Sequence, residues 1–136
     1  MFNIILVHIS KNGSIPEYLY DNVYNILTLH DTIGKLTTMK LWIIINKDNI
    51  SAFKKHCENL DISEYAIRRI ECIPSESLCI GMYSKLNRYN NIVSKFESKS
   101  LNDFRDGFWL STTTRFFMIE GLMYKYHLEN VFHLEN

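Results

Sequence analysis

Neither sign of charge predominates in this sequence, where 15 lysine and arginine side chains stand against 15 aspartates and glutamates. A nucleic-acid or membrane-surface protein needs a basic excess or a basic cluster, and the chain has neither. Long apolar runs are missing too. The longest, Ile4 to Val7 and Leu41 to Ile45, are far too short to span a bilayer and read as buried strands. Cysteine is sparse: Cys57, Cys72 and Cys79 are odd in number and lack a C-x-x-C spacing, so they read as reduced thiols rather than disulfides or zinc ligands. Met1 to Ile9 has no charged leader and no small-residue cleavage site, which argues against a secretory signal and makes a cytoplasmic setting the expectation. The sequons at Asn12 and Asn49 are then chance. Proline and alanine are scarce while asparagine and isoleucine are plentiful, a sign of AT-rich coding DNA and not of mechanism. The chain contains no internal repeat, Gly-rich phosphate loop, nucleophile elbow or kinase signature, and no catalytic residue is nominated.

What is present is enough apolar sequence, 46% of 136 residues, for one globular domain that buries roughly two thirds of its unfolded surface. Phe2 to Ile9 predicts a strand, Ser10 to Pro16 a loop, and Glu17 to His30 a helix. Lys40 to Asn46 predicts a second strand, followed by the turn-forming Asn46-Lys47-Asp48-Asn49 and a helix from Ile50 to Asn59. Tyr65 to Ile73 reads as a third strand closed by Pro74. Two successive strand-helix-strand units imply parallel pairing with right-handed crossovers, hence an α/β fold with a mostly parallel sheet and flanking helices. Between Ser75 and Asp106 the pattern blurs into a helix of undefined extent and a mobile segment near residues 86–106. Order returns with a helix from Leu110 to His127, whose Phe116, Ile119, Met123 and Tyr126 fall on one face as core, and with a last strand from Val131 to Leu134.

Two places carry chemistry. Ser111, Thr112, Thr113 and Thr114 are poor helix-interior residues but good caps, and Arg115 is read in the first turn, where the helix dipole disfavours a cation. An adjacent phosphate or carboxylate would remove that penalty. The alternative is a redundant cap, with Arg115 paired to a surface acid such as Glu120 or Asp106. On the final strand, His133 and Glu135 alternate around Leu134 and so face one side, where they either share a metal ion or form a solvated strand end. His8, His30, His56 and His127 are scattered without metal-ligand spacing. In α/β sheets ligands sit beyond the carboxyl ends of strands, so the ends of the first and last strands are the places to watch.

Gly107-Phe108-Trp109, Thr112, Arg115-Phe116-Phe117 and Asn130-Val131-Phe132-His133-Leu134-Glu135-Asn136 carry a resemblance. They are similar to a segment of GT-A-type glycosyltransferase-like proteins of bacteria and large DNA viruses, which reads F-W-x-x-T-x-x-R-F-F, then a helix, then H-L-E-N-D. His8-Ile9-Ser10, Ile15-Pro16, Tyr18-Leu19 and Asp21-Asn22 resemble that group's first strand, loop and helix.

The resemblance covers residues 1–136 and implies a truncated GT-A half that binds a nucleotide-diphosphate sugar. It assigns His8 and Ser10 to the nucleotide, Thr112 and Arg115 to its diphosphate, and Glu135 to a Mn²⁺ or Mg²⁺ ion. The second acid of the motif would follow Asn136, so the expectation is weak or lost metal binding and no activity by the chain alone. An unpaired sheet edge is then expected to favour self-association or a completing partner chain. The competing readings are a non-enzymatic α/β interaction domain and one half of a split enzyme.

Overall fold

The computed structural model describes residues 1–10, 13–33, 38–78, 88 and 108–135. The segment expected to be mobile, near 86–106, lies outside the described residues apart from Arg88. The chain divides into two compact units, one formed by Met1–Glu76 with Leu128–Asn136 and the other by Ser77–His127.

The first unit is built on four parallel strands, β1 (Phe2–His8), β2 (Met39–Ile45), β3 (Ile70–Pro74) and β4 (Val131–His133), in the order β3-β2-β1-β4. The fold is therefore α/β. β1 and β2 are the two inner strands, which explains their near-continuous apolar sequences: a parallel strand covered on both faces buries every residue rather than every second one. Helices α1 (Glu17–Ile33), α2 (Ile50–Glu58) and α3 (Glu64–Ile67) supply the crossovers. One sheet face carries Leu6, Met39, Leu41, Ile43 and Ile45, and these pack with Leu19, Val23 and Leu27 of α1, Phe53 and Cys57 of α2 and Ala66 of α3. Tyr20 joins the two long helices, its ring stacked on Phe53 at 5.4 Å and on His56 at 3.7 Å between centroids.

The opposite face carries Asn3, Ile5, Val7, Trp42, Ile44 and Ile73, all buried. Asn3 is the polar exception in this row, only 3% exposed. Its carboxamide oxygen accepts the indole N–H of Trp42 at 2.9 Å, and its Nδ2 donates to the Glu129 carbonyl at 2.8 Å. Its backbone N–H donates to the Asn130 carbonyl at 2.9 Å. One residue thus ties β1 to β2 and to the turn that delivers β4, and β4 then runs in register with Asn3 opposite Val131 and Ile5 opposite His133. Phe132 falls on the other face and meets Phe2 edge-on at 6.1 Å.

The second unit contains α4 (Phe108–Tyr126). A Cβ added at Gly121 would stand 3.4 Å from the carbonyl oxygen of Leu78, so glycine permits a close approach there. Just beyond the helix, His127 adopts φ 51° and Asn130 φ 52°, two left-handed residues in the turn leading to β4.

Three sequence expectations are corrected. The expected third strand from Tyr65 is a helical turn followed by a shorter strand, because the Ser63 hydroxyl accepts the Ala66 N–H and caps α3, while Ala66 is buried under the sheet. The core stripe of the last helix is Met118, Ile119 and Leu122; Phe116, Met123 and Tyr126 are exposed. A helix apolar nearly all round leaves its buried side open to choice by packing. Finally, α4 begins at Phe108, so Arg115 is its eighth residue, about 10 Å along the axis rather than in the first turn. Thr112, Thr113 and Thr114 are helix-interior residues, and the anion seat read from caps is not formed by them.

Two outcomes follow. Asn3→Ala strands the buried Trp42 N–H and Glu129 carbonyl and is expected to lower stability by about 2–3 kcal/mol in urea unfolding. His127→Gly removes a left-handed strain at a helix end and is expected to raise stability by about 0.5–1 kcal/mol in the same assay.

Candidate functional site

The strand order creates a topological switch point. From β1 the chain crosses to β2 and β3 on one side, whereas β4 lies on the other, so the crevice at the carboxyl ends of β1 and β4 is the place where an open α/β sheet receives a ligand. His8 ends β1 and Ser10 follows it; His133 ends β4, and Glu135 lies two residues beyond. Three of the expected site residues, His8, Ser10 and Glu135, therefore share one edge of one unit.

The two strand-end histidines do not share one face. Strand alternation and the pairing of His133 with Ile5 put His133 on the Asn3–Ile5–Val7 side. His8 falls on the side of Leu6, where its ring meets Tyr18 from the first turn of α1 edge-to-face at 6.3 Å. His8 is half-buried and Glu135 is exposed. The end of β1 thus carries an imidazole beside a phenol, and an exposed carboxylate lies two residues beyond β4.

Thr112 and Arg115 belong to α4, in the second unit. Their spacing of three places them on one side of that helix, in line with the buried Ile119 and Leu122, and both are half-buried.

Residues not nominated from sequence complete the edge. The Asn46 carboxamide oxygen, just after β2, accepts the Ser10 N–H at 2.9 Å and so joins the ends of β1 and β2. This bond occupies the Ser10 backbone N–H. Glu76, just after β3, accepts the Lys47 N–H at 2.9 Å through one oxygen and at 3.2 Å through the other, and takes the Ser75 hydroxyl at 3.3 Å. The Glu76 carboxylate thereby joins the ends of β2 and β3. Partial burial acts to raise its pKa, but the hydrogen bonds from its own amide, the Lys47 amide, Ser75 and Asn46 outweigh that and hold it below the usual glutamate range. The sequence signal was available in Asn46-Lys47-Asp48-Asn49, which reads as a turn; that its first residue reaches back to β1 is a tertiary fact.

Among the described residues, no group of three His, Cys, Asp or Glu side chains can hold a metal ion, and no helix is long and apolar enough to cross a membrane.

A carboxylate whose folded-state pKa is depressed contributes stability that is complete above its unfolded pKa, about 4.3, and is lost as pH falls through the lower folded value. Glu76→Gln is therefore expected to melt at lower temperature than the parent at pH 7. In a pH series the difference should narrow below about pH 4 as the parent's carboxylate takes up its proton.

Comparison with known proteins finds no family model, no curated protein and no solved structure that matches the chain.

Proposed function

We propose that the chain is a nucleotide-sugar-binding portion of a GT-A-type glycosyltransferase-like protein, with the ligand's nucleotide diphosphate at the carboxyl ends of β1 and β4. The observation that carries this reading is the switch point itself, with His8 and Glu135 flanking it, since those are residues that the sequence resemblance assigns to nucleotide and metal. Fold alone hosts many functions, so the weight rests on these residues at that edge.

In this reading His8, whose ring meets Tyr18, and Ser10 lie beside the nucleotide, as the resemblance assigns them. The resemblance also assigns Thr112 and Arg115, on α4 of the second unit, to a diphosphate, and a guanidinium is suited to bidentate contact with phosphate oxygens. A Mn²⁺ or Mg²⁺ ion bound here would neutralise charge on a leaving diphosphate. Glu135 fits it as one hard oxygen ligand, and because no group of three His, Cys, Asp or Glu side chains among the described residues could hold the ion, diphosphate oxygens would supply much of the shell.

A second reading, a binding module that takes a partner strand or completing chain, is favoured by β4. Among the described residues it pairs on one side only, and its Phe132 is 57% exposed.

Calorimetric titration with a panel of nucleoside-diphosphate sugars, with and without Mn²⁺, separates the two. The first reading expects binding that strengthens with Mn²⁺, loses that enhancement in Glu135→Ala, and weakens roughly 10- to 100-fold in Arg115→Ala, the worth of a charge-assisted contact. Unchanged affinity in Arg115→Ala overturns the site, and no binding of any member of the panel favours the interaction module.

A further inference from the structure

Away from the carboxyl edge, the first unit has a pocket of about 160 Å³ between α2 and β3, lined by Phe53, Lys54, Cys57, Glu58, Ile67, Ile70 and Cys72. Two of its walls are free thiols, one from the last turn of α2 and one from the middle of β3. The backbones of these elements come within 8 Å of each other, Cα to Cα. Apolar surface from Phe53, Ile67 and Ile70 makes up much of the remaining lining, with the charged heads of Lys54 and Glu58 as the polar part.

The chemistry of this pair narrows its ligand. Burial pushes the Cys57 thiol up to about 12, with Cys72 and Glu58 adding to the effect. Burial also pushes Cys72 up to about 11, with Lys54 opposing and Glu71 reinforcing. Both groups are therefore neutral S–H at physiological pH, which makes them slow nucleophiles toward disulfides and alkylating agents. A tetrahedral zinc site needs more ligands, and no third His, Cys, Asp or Glu joins the pair among the described residues. A metal cation would also have to expel both thiol protons.

We propose that Cys57 and Cys72 form a two-thiol site for a trivalent organoarsenical, a ligand that joins two neutral thiols as a neutral adduct. The step balances without a redox partner: R–As=O reacts with two R′–SH to give R–As(SR′)₂ and water. Two As–S bonds form, two S–H bonds and the As=O bond break, and both thiol protons leave in the water. An aryl group on arsenic then lies against Phe53, Ile67 and Ile70, within a volume comparable to a benzene-sized cavity of about 150 Å³. The site is separate from the carboxyl edge and does not depend on the nucleotide-sugar reading.

Phenylarsine oxide is the probe, with intact-protein mass spectrometry on the full chain. The expected result is one adduct per chain, of the arsenical's mass less one water, released by an added small dithiol. It is retained in Cys79→Ser and lost in Cys57→Ser and in Cys72→Ser. Because the Cys57 variant removes a buried side chain, the parent protein is also read directly: the adduct is expected to shield Cys57 and Cys72, and not Cys79, from maleimide after rapid denaturation and digestion. Retention of the adduct in Cys57→Ser, or protection of Cys79, overturns the proposal.

Discussion

A buried carboxamide at the amino-terminal edge of the sheet sets the terms for everything at the opposite edge. Asn3 sits in a row of apolar residues, where an unpaired amide would cost about 1–3 kcal/mol for each orphaned group. Its oxygen and nitrogens are all satisfied, by the indole of Trp42 and by two carbonyls of the turn before β4. Those bonds make β4 the neighbour of β1. Without β4 in that place the sheet would be a simple β3-β2-β1 series, and there would be no switch point for a ligand to occupy.

At the carboxyl edge a second set of polar contacts does comparable work. Asn46 and Glu76 draw the ends of β1, β2 and β3 together through backbone amides, so the loops that would surround a ligand are anchored at their roots. The amide of Ser10 is spent in this anchoring. The groups gathered near that edge include an imidazole at the end of β1 and a carboxylate beyond β4.

The thiol pocket lies on the helix side of the same sheet and has an opposite character. There Phe53, Ile67 and Ile70 line much of the wall and the two thiols hold their protons, whereas the edge exposes a carboxylate and a set of hydrogen-bonding groups. Both arise from one arrangement. Crossover helices cover the faces of a parallel sheet and leave its carboxyl ends open, so polar groups collect at the ends and soft, neutral ones are enclosed beneath the helices.

By itself the sequence determined the inner strands and the two long helices of the first unit. Ile4 to Val7 and Leu41 to Ile45 can be satisfied only by burial on both faces, and Glu17 to His30 and Ile50 to Asn59 follow strands in the order that parallel pairing demands. It also marked the ends of β1 and β4, because a terminal His or Glu after an apolar strand stands out locally. Tertiary structure alone decided which side of α4 is buried, since Phe116, Met118, Ile119, Leu122 and Met123 offer apolar surface around most of its girth. It decided that Tyr65 joins a helical turn capped by Ser63 and not a strand. It likewise decided the partners of Asn3, Asn46 and Glu76 and the placing of His8 and His133 on opposite faces. The physical reason is range: burial preference and chain periodicity are properties of a few neighbouring residues, while a hydrogen bond between Asn3 and Glu129 joins residues 126 positions apart in the chain.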